Sequence, residues 1–361
     1  AKDITTPSGQ VVLEKGKELT KQSILRLSFY NIKSACIVDG EEKQAAPKSY
    51  SQKIKTSQKF QSFQADHTIV LSQIRVSFEG YVNEGKPLDT SALLSKVVEL
   101  FQSCKTSLEL FNMLHNMHSS DDSVYVHSLN VSLICRQIGK WIKADDATLD
   151  MLTLAGLLHD IGKLKRPMYF KENQLGENPH EHTNPYISAA IVTAHTRDGV
   201  MLAQQYHLPQ EIQDIIIEHH GDTPVMYFYH KALKQADGQA VDIADFRYDG
   251  RRPQSKESAI IMLADTVEAA VRSMPDPTPK AIEEFIAKLV RGKIDDGQLN
   301  DAPLTLQDIS KICRAFTTVL KGVFHERIEY PPSARRQRPV WRPISPRARK
   351  AGRKVRWRPG N

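Results

Sequence analysis

Cysteine is scarce and poorly placed for cross-linking. Cys36, Cys104, Cys135 and Cys313 are scattered over 361 residues, and none belongs to a CxxC pair. That excludes a disulfide framework and a zinc-thiolate site, and it fits a reducing compartment. No run approaches the ~18–20 apolar residues of a membrane-spanning helix. The opening AKDITTPSGQ has no apolar core of the kind a secretory signal needs. The expectation is a soluble, cytoplasmic chain with no membrane segment. With 40% hydrophobic and 25% charged residues, it has enough apolar material to bury a sizeable core without staples.

Acidic residues are absent from one region only. The last 27 residues, Arg335 to Asn361, hold 11 of the 49 Lys and Arg and no Asp or Glu. The remaining 38 basic residues face 42 acidic ones, a net of −4, so the formal charge of +7 belongs to the tail. Trp341 and Trp357 are interleaved with these charges. The composition suits weak nucleic-acid contact through phosphates and stacking over 335–361, and equally an unstructured extension.

Residues 1–45 read as a small α+β module, with VVLEKG and SACIVDG as strands and Lys21 to Leu27 as a helix. Residues 46–120 read as a linker followed by connecting helices, polar to about Phe60 and periodic from Phe63. From 121 to 332 one helical pattern follows another and alternating strand patterns are nearly absent. Expected caps are Asp121 or Asp122, then Asp145 or Asp146, with Pro209 in a first turn and Gly221 as a stop. Residues 333–361 form the basic tail, expected to be disordered. The fold class is therefore mainly α, a helical bundle flanked by a small α+β module and a disordered basic tail.

Several polar residues stand where helices should be apolar. His159 and Asp160 end the run LTLAGLLHDIGK, and His219 and His220 end IQDIIIEHH. His127 and His195 interrupt apolar stripes. Asp265 does the same in AIIMLADTVEAAV, with Glu268 one turn on. Buried His and Asp are costly without hydrogen bonds, ion pairs or a metal. A lone residue of this kind is most often a satisfied core or capping group, but two adjacent pairs at two apolar helix ends argue for more. Five imidazoles and two carboxylates suit Fe or Mn, with Asp160 able to bridge two ions. Two such ions about 3.5–4 Å apart activate water and clamp a phosphoryl oxygen.

HDIGK after an apolar helix, followed in order by His, His-His and Asp, resembles the HD-domain metal-dependent phosphohydrolases. HDIGKLKRPMYFKENQLGENPH, HTRDGVMLAQQYHLPQEIQDIIIEHHGDTPVMYFYHKA, FRYDGRRPQSKESAIIMLADTVEAAVRS and HERIEYP look like the catalytic domain of PgpH-type, seven-transmembrane HD phosphodiesterases. That family hydrolyses cyclic di-AMP to pApA, and the resemblance runs from about His159 to Tyr330. Residues 1–158 are similar instead to HD-GYP proteins, which act on cyclic di-GMP. Their HHE…DG.GYP run is replaced here by HHGDTPVMYFYHKA.

The resemblance implies an HD-domain helical bundle and two divalent ions, Mn or Fe. His127, His159, Asp160 and Asp265 would hold one; Asp160, His195, His219 and His220 would hold the other. A Glu that supplies a third metal in some HD-GYP proteins is replaced by Ser123. Asp160 and Lys163 are the catalytic candidates, Lys163 either meeting a phosphate oxygen or complementing a helix end. Tyr229 and His230 are candidates for nucleotide contact, with core packing as the alternative. The implied activity is a cyclic dinucleotide phosphodiesterase, cyclic di-AMP before cyclic di-GMP; a non-catalytic nucleotide- or nucleic-acid-binding module is the alternative. His115, His118, His180, His182 and His207 read as surface residues, and RYDGRRP at 247–253 as a solvated or phosphate-meeting loop.

Overall fold

The structure, a computed structural model, describes residues 4–5, 11–13, 50–117, 123–170, 178–273 and 279–325. The expected strand SACIVDG, the helix at 21–27 and the basic tail lie outside them. In the N-terminal module two short strands, β1 (Ile4–Thr5) and β2 (Val11–Leu13), pair antiparallel with Ile4 opposite Leu13. Everything else described is helix or connection, and the protein is mainly α. Among the described residues no helix is long and apolar enough to cross a membrane.

Helices begin earlier than the polar composition of 41–60 suggests. α1 spans Tyr50–Lys55 and α2 spans Gln58–Glu84. The Ser57 hydroxyl accepts the Phe60 amide and starts α2. Phe60, Phe63, His67, Val70, Ile74, Phe78 and Tyr81 then recur at three and four positions and are buried as one stripe. Phe60 in the first turn and Phe63 in the second therefore outweigh the polar residues around them.

α3 (Thr90–Gln102) and α4 (Ser107–Asn116) are capped by Asp89 and Thr106. Two central helices follow, α5 (Val124–Ile142) and α6 (Asp146–Leu158). Asp145 caps α6, while Ser123 occupies the cap position of α5 without a side-chain hydrogen bond. Beyond a 3-10 turn at Ile161–Lys165 come α7 (Pro185–Gln205), α8 (Gln210–Glu218) and α9 (Met226–Gln235). α10 (Lys256–Ser273), α11 (Pro279–Asp295) and α12 (Leu306–His325) complete the bundle.

α5 lies at the centre, packed on α6, α10 and α12. Leu129, Leu133, Ile138, Leu152, Leu157, Ile260, Leu263 and Phe316 fill the shared core. Trp141 closes one end, stacked on Phe111 and edge-on to Phe316 at 5.1 Å. Burying a Leu or Phe of this kind contributes ~1.5–3 kcal/mol. The polar residues of interest sit at the other end, where α5, α6, α7, α8 and α10 converge.

Candidate metal centre

α6 ends at Leu158, and His159 and Asp160 follow at once. His159 is fully buried and Asp160 almost so. The turn at 161–165 redirects the chain over α7, and Gly162 makes that approach possible. A Cβ on Gly162 would overlap the His195 carbonyl oxygen and crowd the Gly199 amide. Gly162→Ala is expected to push Asp160 away from His195 at a cost of ~1–3 kcal/mol, lowering the melting temperature by roughly 5 °C. Gly292→Ala, where nothing lies within 4 Å of the added Cβ, should show no such loss in the same thermal melts.

The seven residues singled out in the sequence meet at this point. One ligand atom each from Asp160, His195, His219 and His220 lies within 4.8 Å of the others, and the same holds for His127, His159 and Asp265. Asp160 faces both groups. Its Oδ1 is 3.2 Å from His195 Nε2 and 3.5 Å from His219 Nε2. Its Oδ2 is 3.2 Å from His127 Nε2, 3.4 Å from His159 Nε2 and 2.7 Å from Lys163 Nζ. His127 Nε2 also lies 3.1 Å from Asp265 Oδ1, and His220 Nδ1 is 3.8 Å from Asp265 Oδ2.

Ring orientation tests whether these donors fit a cation. His159, His195 and His219 each direct Nδ1 at the carbonyl three residues back, those of Gly156, Val192 and Ile216, at 2.7–2.8 Å. A carbonyl only accepts, so each Nδ1 carries the hydrogen and each neutral ring turns an Nε2 lone pair inward. His195 and His219 then oppose lone pairs at 3.3 Å. Asp160 Oδ1 and the His159 Nε2 atom are buried and make no hydrogen bond. Converging lone pairs and carboxylate oxygens are a repulsive arrangement without a cation, and imidazole with carboxylate is a donor set for Mn or Fe. The residues therefore fit a metal.

The electrostatics agree. Burial holds His159 down to about 4 and lowers His195 and His220. Burial alone would raise Asp160 and Asp265, but Lys163 and the surrounding imidazoles hold Asp160, and imidazoles led by His127 hold Asp265, well below the usual carboxylate range. His127 is the exception: burial would lower it, yet Glu268, Asp160 and Asp265 raise it well above the ordinary imidazole value.

The centre opens on a cavity of about 600 Å³. His127, Lys163, His220 and Asp265 form its floor, and Tyr169, Phe170, Tyr227, Phe228 and Tyr248 contribute aromatic walls. Tyr248 stacks on His220 at 4.4 Å. The structure places three further groups singled out in the sequence, and of these the surface reading of His180 is corrected. Tyr229 packs on Phe246 and His230 is exposed; the phase of α9 gives the cavity Tyr227 and Phe228 instead. His180 is buried in the wall, its Nε2 against the Tyr169 carbonyl at 2.8 Å and its ring 4.8 Å from Phe228. The arginines of 247–253 are engaged by acids, Arg251 with Asp214 at 2.6 Å and Arg252 with both oxygens of Asp222 at 3.2 Å. Tyr248, from the same loop, is the residue that reaches the cavity.

Residues 124–270 match the HD domain. Over 234 residues the chain is 38% identical to cyclic-di-AMP phosphodiesterase PgpH of Bacillus subtilis, covering 63% of this chain and 32% of that protein. The chain thus spans about a third of that relative's length. It is 26% identical over 137 residues to cyclic di-GMP phosphodiesterase PA4108 of Pseudomonas aeruginosa, 38% of this chain and 31% of that one. The crystal structure of the Listeria monocytogenes PgpH HD domain in complex with cyclic-di-AMP superposes with a TM-score of 0.52 at 38% identity, covering 61% of this chain and 99% of that one. The chain belongs to the HD-domain family.

Proposed function

We propose that this chain is a metal-dependent phosphodiesterase that hydrolyses a cyclic dinucleotide, cyclic di-AMP in preference to cyclic di-GMP, to the linear dinucleotide. One observation carries the reading: a cluster of inward-facing imidazole nitrogens and carboxylates forms the floor of an aromatic-walled cavity of about 600 Å³. That size lies within the ~300–1,000 Å³ of ordinary ligand sites, and purines stack on flat aromatic rings. The choice of cyclic di-AMP rests on likeness to PgpH, which outweighs the weaker likeness to PA4108.

When bound, two Mn or Fe ions would lower the pKa of water and neutralise charge on phosphoryl oxygens. The ligand groups are Asp160 with His195, His219 and His220, and His127 with His159 and Asp265; Asp160 presents one oxygen to each. Lys163 holds Asp160 Oδ2 and faces the cavity, so its ammonium is shared between the carboxylate and an arriving phosphate. The aromatic walls exclude water from the scissile bond and hold the bases. The His180 Nε2–H donates to Tyr169, leaving Nδ1 buried and unpaired as an acceptor for an N–H or O–H of the bound molecule.

Purified protein supplied with Mn²⁺ and incubated with the two cyclic dinucleotides in parallel tests this reading. The expected result is linear product from cyclic di-AMP, with slower turnover of cyclic di-GMP. Faster turnover of cyclic di-GMP would reverse the preference. Turnover of neither would end the phosphodiesterase reading.

A further inference from the structure

Glu268 belongs to neither ligand group, yet it is 5% exposed and both of its oxygens are committed. Oε2 accepts from His127 Nδ1 at 2.8 Å, and Oε1 accepts from Asn130 Nδ2 at 3.1 Å. The spacing explains the meeting. His127 and Asn130 share one face of α5 at i and i+3, and Asp265 and Glu268 share one face of α10 in the same way. The two helices therefore face each other through two polar layers. The outer layer is His127 with Asp265. The inner one is Asn130 with Glu268.

This makes His127 unlike its neighbours. His159, His195 and His219 are oriented by neutral backbone carbonyls, whereas His127 is oriented by a carboxylate. A carboxylate fixes the Nδ1–H tautomer more firmly and makes Nε2 a better donor to a cation.

α2 lies outside the 124–270 match and carries a further buried histidine. His67 is 1% exposed and neither ring nitrogen has a well-formed hydrogen bond. Burial lowers it to about 4, against the opposing influence of the Asn130 side chain. α2 also lies against α5 and the 161–165 turn, and its Tyr81 hydroxyl donates to the Leu202 carbonyl of α7 at 2.9 Å. α2 thus backs the segments that carry His127, Asp160 and His195.

We infer that Glu268, held by Asn130, is a positioning residue that fixes the tautomer and orientation of His127. The inference rests on the reading of the centre as a metal site. Mn²⁺ binding to the full chain, followed by calorimetry, tests it without reference to turnover. Glu268→Gln keeps the shape and an acceptor but removes the charge. It should weaken Mn²⁺ affinity at one class of site ~10–100-fold and leave the other class unchanged. Asn130→Ala, which alters no charge, should weaken the same class about tenfold and serves if Glu268→Gln does not fold. Unchanged Mn²⁺ affinity in Glu268→Gln and Asn130→Ala overturns the role of Glu268. A wild-type chain that takes up no Mn²⁺ removes the metal reading itself, a distinct outcome.

Discussion

Replacing Asp160 with Ala should abolish hydrolysis while the helical circular dichroism signal is retained. Asp160 stands between the two ligand groups at short range, Oδ1 toward His195 and His219 and Oδ2 toward His127 and His159. Without it, inward lone pairs and the Lys163 ammonium remain in a buried space lacking their shared counter-charge. Metal-derived charge stabilisation is worth several kcal/mol, so its loss corresponds to roughly 10³-fold or more in rate. The backbone consequences are smaller, because α6 ends at Leu158 and its cap at Asp145 is remote. Metal content by elemental analysis should fall along with turnover. Full activity in a metal-depleted Asp160→Ala protein would sink the two-metal reading.

How much of this was legible depended on the cost of burying charge. His127, His195 and Asp265 stood out because each interrupts an apolar helical stripe, and His159–Asp160 and His219–His220 because each pair ends one. Such residues can be grouped from sequence because few arrangements satisfy them. The second tier was legible only in Glu268, one turn on from Asp265. Asn130 reads as an ordinary polar helix residue until α10, 138 positions away, brings Glu268 to it. His67 fell among the expected connecting helices of 46–120, outside the expected 121–332 domain. Its burial follows from the apolar stripe of α2, whose first turn lies in a stretch that composition marks as linker. The cavity wall turned on helix phase: within MYFY, 100° per residue separates Tyr227 and Phe228, which line the cavity, from Tyr229, which packs on Phe246. Tyr248 was obscured by its arginine neighbours, whose partners Asp214 and Asp222 come from other segments.

Loading with Mn²⁺ should raise the melting temperature by about 10 °C at ion concentrations near a thousand times the dissociation constant, since binding there contributes ~4 kcal/mol per site. The size of that shift should grow with pH, and the sign follows from His127. In the metal-free protein its imidazole is held well above the ordinary value, so it keeps a proton at neutral pH that a cation must displace. The protonated His127 contributes stability to the metal-free fold that is complete below ~6.5 and is lost as pH rises through the raised value. His159, lowered to about 4, works in the opposite sense. Its neutral ring contributes stability above ~6.5 that is lost as pH falls through about 4, so it supplies little slope at neutral pH and above. As pH rises from ~6.5 toward the raised His127 value, the chelated protein should therefore become less stable, while the loaded protein, whose His127 carries no proton, does not. Thermal melts with and without chelator across that range should show the gap widening. Calorimetry in buffers of different ionisation enthalpy should show proton release on Mn²⁺ binding. The Asp160→Ala protein should show neither effect. A metal-dependent shift of constant size across the range would mean that His127 is already unprotonated in the metal-free centre.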